Sequence, residues 1–179
     1  MDKKEIQAKV RQLLAAGAAK AEVFAQLSGE GAKDSQLAYS IASYADPIRC
    51  DEHARKVNTL VTIMFIQAML AFLIGFAMGA QIGPNARWAF GALAALIPSF
   101  LAWGFYTHRV GAYNAYIVLT FIQIPNSIKG FASDPITTAI SLAISIALLA
   151  FVWYVREKIF PDFSFFVPKK IKGEYVFSG

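Results

Sequence analysis

Residues 46–80 read DPIRCDEHARKVNTLVTIMFIQAMLAFLIGFAMGA, and this stretch decides the fold. Asp46 is a favourable N-cap, and Pro47 fits the first helical position, where its missing N–H costs no hydrogen bond. From Leu60 to Ala80 the only strongly polar side chain is Gln67. At about 1.5 Å per residue, this run is long enough to cross a hydrocarbon core of about 30 Å. The stretch therefore predicts one long helix that begins in water and continues as a membrane span.

The charged residues avoid the middle of the chain. Of the 179 residues, 56% are hydrophobic and only 16% are charged, whereas soluble domains carry about 25% charged residues. Residues 58–155 hold three of the 17 Lys and Arg residues and one of the 12 Asp and Glu residues. Because a soluble protein would spread its charges over the whole surface, this distribution predicts that the middle of the chain faces lipid.

The apolar middle divides into four predicted spans, at about 58–80, 88–107, 110–131 and 135–155. The third span contains Pro125, which removes a backbone donor and kinks or ends a helix, so a re-entrant segment is the alternative for this span. Short connections make sequential helices antiparallel neighbours. The predicted fold is therefore an all-α membrane protein with four transmembrane helices in an up-down bundle, the first of which continues a juxtamembrane helix that begins at residue 46.

Residues 1–45 predict a small three-helix head. Each of three segments carries apolar residues at helical spacing: Ile6, Val10 and Leu14; Val23, Phe24 and Leu27; and Leu37, Ile41 and Tyr44. Up to residue 48 the six basic residues match six acidic ones, and the third helix has no Lys or Arg. Nucleic-acid binding needs a concentrated basic surface, so the sequence argues against it.

The Lys and Arg residues also predict the orientation. With both termini in the cytoplasm, 15 of the 17 lie on the inside, and only Arg87 and Lys129 lie outside. Cytoplasmic loops of membrane proteins carry such an excess. The predicted topology anchors flank the spans on the cytoplasmic side: Arg49, Arg55, Lys56, Arg109, Arg156 and Lys158.

Two sets of residues within the spans predict contacts. Gly75 and Gly79 form a GxxxG pattern that Ala71 extends, and small residues of this kind let membrane helices approach closely. Packing within the bundle is the favoured interpretation, and a homodimer is the alternative. Gln67, Asn114 and Gln123 are polar side chains that either hydrogen-bond across helices or line a narrow channel for small solutes.

No set of residues predicts catalysis. Cys50, Asp51, Glu52 and His53 form one dense polar cluster, but a structural zinc site needs about four ligands, and His108 is the only other histidine. A single cysteine also excludes an intramolecular disulfide. The interior of the spans lacks Asp, Glu, Lys, Arg and His, which disfavours an ion-coupled transporter. We therefore expect a non-enzymatic protein without a metal or a cofactor.

The last predicted segment, residues 156–179, is rich in aromatic and basic side chains. We expect an interfacial tail, with rings at headgroup depth and ammonium groups on anionic lipid, formed by Phe160, Phe163, Phe165, Phe166, Lys169 and Lys170. Within the tail, residues 172–177 are also predicted to form a short extended piece packed on the N-terminal helices.

The helical head, the four spans and the tail pattern together resemble small four-span bacterial inner-membrane proteins of the toxin-immunity and accessory type. The pattern consists of Phe160, Pro161, Phe165, Phe166, Pro168, Lys169, Lys170, Gly173, Tyr175, Val176 and Phe177. The resemblance implies a multi-pass protein of the bacterial inner membrane that acts by binding another protein. The partner would be a membrane-acting secreted toxin or, alternatively, a subunit of an envelope secretion or transport complex.

Overall fold

The computed structural model describes residues 2–128, 131 and 134–178 of the chain. These residues form eight helices and two short β-hairpins. The helices are α1 Lys3–Ala15, α2 Lys20–Leu27, α3 Asp34–Ala42, α4 Pro47–Glu52, α5 Ala54–Ala80, α6 Ala86–Tyr106, α7 Val110–Ile128 and α8 Pro135–Ile159. The strands are β1 Phe163–Ser164, β2 Val167–Pro168, β3 Lys170–Ile171 and β4 Glu174–Tyr175. The fold is thus mostly helical, and the all-α prediction is wrong only in the tail.

The chain divides into two compact units. The head unit combines the residues up to Arg49 with those from Glu157 onward, and the helical unit is Cys50–Arg156. In the head unit, the helical spacing of the apolar residues brings α1, α2 and α3 around one core. That core consists of Ile6, Val10, Leu14, Val23, Leu27, Leu37 and Ile41.

The tail forms two antiparallel hairpins in the head unit. Phe163 pairs with Pro168 in the first hairpin, and Lys170 pairs with Tyr175 in the second. The second turn, Lys172-Gly173, has φ of 52° and 91°. A two-residue type I′ turn needs positive φ at both central residues, and glycine adopts it without steric cost.

Aromatic rings attach these hairpins to the head helices. The Phe24 ring lies 5.5 Å from the ring of Tyr175 and 5.6 Å from that of Phe177, and Tyr39 packs edge-on against Phe163 at 5.4 Å. Phe177 also packs against the head core. The tail therefore belongs to the same unit as the N-terminal helices, which differs from the predicted boundary between a head at 1–45 and a separate tail at 156–179.

The helix predicted from Asp46 to Ala80 is broken at one residue. Asp46 accepts a hydrogen bond from the Ile48 N–H at 2.9 Å and so caps α4. His53, with φ −107° and ψ 11°, then interrupts the helix, and its carbonyl accepts the N–H groups of Lys56 and Val57 in the first turn of α5. The prediction of one continuous helix is therefore wrong at this position, which the sequence marks with neither a glycine nor a proline.

In the helical unit, α5 and α6 pack as a close antiparallel pair. A Cβ added at Gly75 would lie 2.6 Å from the Phe90 carbonyl oxygen, and one added at Gly79 would lie 2.7 Å from that of Ala86. The next contact joins α6 to α7, with 4.6 Å between the rings of Phe105 and Tyr113. The beginning of α5 also meets the last turns of α8, where the Lys56 ammonium donates to the Tyr154 hydroxyl at 3.0 Å.

Three described helices, α5, α6 and α8, are long and apolar enough to cross a membrane. The 19-residue α7 is not among them, because Asn114, Gln123 and Asn126 lower its hydropathy. Residues 129 and 130 of the predicted third span lie outside the described residues. The three apolar helices indicate a membrane-spanning protein, whereas four spans and an up-down bundle remain predictions.

Candidate functional site

A cavity of about 280 Å³ lies in the helical unit between α5, α6, α7 and α8. Each helix contributes residues from near the middle of its length. The lining residues are Gln67 and Ala71 of α5, Ile97, Pro98 and Leu101 of α6, Tyr116, Leu119, Thr120 and Gln123 of α7, and Ile144, Ser145 and Leu148 of α8.

The polar part of the cavity wall consists of amides and hydroxyls. The side chains of Gln67 and Thr120 both interact with the Tyr116 hydroxyl. The Thr120 hydroxyl donates to the Tyr116 carbonyl, and the Ser145 hydroxyl to the Ser141 carbonyl, each at 2.9 Å. Because each of these hydroxyls uses its single proton for the helix backbone, its oxygen faces the surroundings as an acceptor. None of the lining residues is Asp, Glu, Lys, Arg or His.

The structure brings together two of the three predicted polar lining residues. Gln67 and Gln123 line the cavity, whereas Asn114 does not, and its Oδ1 is buried without a hydrogen-bond partner. Tyr116 and Ser145 were not predicted as lining residues. A signal for Tyr116 was present, because it precedes Thr120 and Gln123 by four and seven residues and so shares their face of α7.

Comparison with protein-family models, curated proteins and solved structures finds no match to this chain.

The predicted packing face of α5 faces two different neighbours. Gly75 and Gly79 are buried against the backbone of α6, so their surface serves contact within the chain and is not open to a second copy. Ala71, one turn before Gly75, lines the cavity. Gly75 and Gly79 thus let α5 and α6 approach closely near the C-terminal end of α5. The cavity lies closer to the middle of α5, at Ala71 and Gln67.

The predicted topology anchors differ in exposure. Arg55, Arg109 and Lys158 are exposed, while Arg49 is partly covered and lies 3.9 Å from Asp46. The Lys56 ammonium donates a hydrogen bond to the Tyr154 hydroxyl and also lies 4.8 Å from the centre of the Tyr154 ring. Arg156 departs from the expectation of an exposed anchor, because only 1% of it is accessible and its guanidinium packs 5.5 Å from the Trp153 ring. Arginine tolerates such a place because its planar guanidinium is weakly hydrated and stacks on aromatic faces.

The polar cluster at the start of the helical unit shows no metal-binding arrangement. Among residues 2–128, 131 and 134–178, no three His, Cys, Asp or Glu side chains lie together as a metal site would require. His108 sits in the turn between α6 and α7 with φ 50°, and its Nε2 is buried without a hydrogen-bond partner. Burial lowers the pKa of His108 below its ordinary value of 6.5, and the Asp51 carboxylate opposes this shift.

The head unit contains a buried ion pair that the sequence did not reveal. The Lys20 ammonium lies 2.7 Å from the Asp162 carboxylate, and these side chains are only 12% and 2% exposed. Asp162 also accepts the backbone N–H of Ser178 at 2.6 Å. One carboxylate thus joins α2 to two parts of the tail.

The predicted interfacial residues separate into buried and exposed groups. Phe160 and Phe163 are buried, at 1% and 3% exposure, and therefore cannot present their rings to lipid. Phe165 in the first turn is 50% exposed, and its ring lies 4.4 Å from that of the half-buried Phe166. Lys169 and Lys170 are exposed. Of the predicted set, only Phe165, Phe166, Lys169 and Lys170 thus remain available to a membrane surface.

Proposed function

We propose that this chain is a four-span protein of the bacterial inner membrane, with both termini in the cytoplasm, that acts by binding another protein within or beside the bilayer. The observation that carries the topology is the composition of the head unit. It joins residues that precede the apolar helices to residues that follow them, through the Lys20–Asp162 ion pair and the rings around Phe24.

A compact unit of this kind favours an even number of membrane crossings. Both of its parts must lie on the same side of the membrane, whereas an odd number of crossings would separate Lys20 from Asp162 by a hydrocarbon core of about 30 Å. Since α5, α6 and α8 are three apolar helices, a crossing by α7 supplies the even number. Of the polar residues that lower the hydropathy of α7, Asn114 is half-buried and Gln123 lines the cavity, although Gln123 and Asn126 are both exposed. None of these three residues carries a charge, and uncharged polar side chains that meet another helix or a cavity are compatible with a span.

The contacts at the helix ends also support this arrangement. Lys56 at the beginning of α5 meets Tyr154 near the end of α8, as expected when α5 starts and α8 finishes on the same side. The excess of Lys and Arg on the side of the head favours the cytoplasm for that side.

The surface of α8 supports a protein-binding role. Only 6% of the most apolar stretch of α8 is buried, compared with 22% for α5 and 28% for α6. Ala139 and Ala143 lie one turn apart and are exposed, and small residues are typical of contacts between membrane helices. An immunity protein against a membrane-acting secreted toxin fits this surface, as the resemblance of the sequence implies. An accessory subunit of an envelope secretion or transport complex is the alternative.

Cysteine accessibility tests the topology. In a Cys50→Ser background, we expect Arg109→Cys in right-side-out cells to resist a membrane-impermeant thiol reagent until the cells are permeabilised. Asn85→Cys, in the exposed connection before α6, is the matched control that should react in intact cells. Labelling of Arg109→Cys from outside would contradict the proposal.

Affinity purification from detergent-solubilised membranes tests the partner. A single toxin should co-purify with an immunity protein, and several envelope subunits with an accessory subunit. Ala139→Leu with Ala143→Leu should reduce the recovered partner, because larger side chains keep helices apart, whereas the volume-conserving Ile140→Leu should not. Deleting the gene while its genomic neighbour is kept should cause self-intoxication if that neighbour is the toxin. Recovery of no protein partner with the unmodified chain would reject protein binding.

A further inference from the structure

The cavity of the helical unit is polar at the depth where membrane helices are usually most apolar. It lies between residues 67 and 71 of α5 and between residues 144 and 148 of α8, near the middle of both helices. Its amide and hydroxyl groups come from Gln67, Tyr116 and Gln123 together with two hydroxyls that already donate to the backbone. Gln67 and Tyr116 partly satisfy each other, but a lipid acyl chain offers no partner to their remaining donors and acceptors or to those of Gln123, and such groups are costly in hydrocarbon.

The wall of the cavity indicates the chemistry of an occupant. Two glutamine amides offer both donors and acceptors, and the hydroxyl oxygen of Ser145 is available as an acceptor, while that of Thr120 already interacts with the Tyr116 hydroxyl. No side chain of the lining carries a charge that would balance an ion, and an unbalanced ion is expensive to bury. The volume of about 280 Å³ equals that of about nine water molecules at roughly 30 Å³ each, so a small solute fits, and the cavity is only partly enclosed, which leaves a route of entry.

We propose that this cavity is a binding site for a small uncharged solute with an amide or hydroxyl group, held by Gln67, Tyr116 and Gln123 among the four helices. This inference is independent of the protein partner proposed above. It concerns a bound solute, and it does not require that the solute crosses the membrane.

A cysteine in the cavity wall gives the first test. In the full-length Cys50→Ser protein in nanodiscs, Ser145→Cys should react rapidly with the small neutral reagent methyl methanethiosulfonate, as followed by intact-protein mass spectrometry. Ala143→Cys, two residues earlier and on the opposite side of α8, is the matched control. We expect it to react about tenfold more slowly or less, because a thiol in apolar surroundings has a smaller thiolate fraction. Equal rates for the two cysteines would contradict a hydrated polar cavity.

Protection by solutes gives the second test. Acetamide and acetate have nearly the same size and shape, but only acetate is charged. Acetamide should slow the labelling of Ser145→Cys about twofold at a concentration equal to its dissociation constant, and acetate should not. Gln67→Leu should abolish the protection by acetamide. Equal effects of the two solutes would overturn the proposal.

Saturation-transfer NMR on the unmodified protein repeats the comparison without an introduced cysteine. Transfer from the protein to acetamide should exceed transfer to acetate, and it should decrease when Gln67 is replaced by Leu. Transfer to acetamide that Gln67→Leu leaves unchanged would show binding elsewhere and would reject the cavity as the site.

Discussion

Replacing Lys20 with Met should lower the free energy of unfolding of the head unit, because it leaves the Asp162 carboxylate buried without its cation. Met preserves the length and the apolar stem of the lysine, so the change removes little besides the charge. The carboxylate would keep the Ser178 N–H at 2.6 Å but would lose the ammonium at 2.7 Å, at a place where it is only 2% exposed. Removing one partner of a buried ion pair costs about 3–5 kcal/mol.

Hydrogen–deuterium exchange of the full-length protein in detergent measures this loss locally. Since each 1.4 kcal/mol corresponds to about a factor of ten, amides of α2 should exchange about 100- to 4,000-fold faster. Exchange in α5 should not change, because that helix belongs to the other unit. Adding Asp162→Asn to Lys20→Met should restore part of the protection, because the double variant no longer buries an uncompensated charge.

The Lys9–Glu30 ion pair provides the matched control in the same unit. Its atoms lie 3.2 Å apart, but its side chains are 53% and 46% exposed, so water screens the charges. Exposed pairs of this kind contribute about 0–1 kcal/mol, and Lys9→Met should therefore accelerate exchange less than about fivefold. Equal exchange rates in Lys9→Met and Lys20→Met would show that burial does not strengthen the Lys20–Asp162 pair.

Three further predictions concern other parts of the chain. Gly75→Ala should destabilise the α5–α6 pair by about 1–3 kcal/mol in detergent denaturation, because the new methyl meets the Phe90 carbonyl, whereas Gly111→Ala, with open space around it, should not. The free energy of unfolding should have its full value above pH 6.5 and should decrease as the pH falls towards the lowered pKa of His108, because the unfolded chain takes up the proton first. His108→Asn should remove this pH dependence, because asparagine tolerates the positive φ of this position. A polarity-sensitive dye on Phe165→Cys should shift to shorter wavelength in nanodiscs with anionic lipid relative to neutral lipid, and equal spectra would refute membrane contact of this turn.

The parts of the fold that repeat a period along the chain were predictable from the sequence. The helical spacing from Ile6 to Leu14 gave the face of α1 that forms the core, and Asp46 with Pro47 gave the start of α4. Likewise, the apolar runs predicted α5, α6 and α8 as membrane helices, because length and hydropathy are local properties.

The features that were missed depend on contacts between distant residues. Lys20 and Asp162 are separated by 142 positions, and no pattern in the sequence around either residue predicts that they pair. The tail strands are two residues long, which is too short for an alternating pattern. Residues 172–177 were nevertheless predicted as an extended piece packed on the N-terminal helices, and the contacts of Tyr175 and Phe177 with Phe24 confirm this prediction. Phe163 was instead predicted at a lipid surface, because an aromatic ring suits either a lipid surface or a protein core. In the structure, Phe163 packs against Tyr39 and Tyr175 packs against Phe24, so both rings contact the protein.

The joining of the head unit from two distant segments has a consequence for biosynthesis. About 100 residues separate its two parts, and at about 5–20 residues per second the ribosome needs about 5–20 s to make them. During that time Phe24 lacks the rings of Tyr175 and Phe177. The head can be completed only after α5 to α8 have been synthesised. Under the topology proposed above, an incomplete head would also mark a chain whose helices were inserted wrongly, and a protease on the side of the head that cleaves exposed α2 would remove such chains selectively.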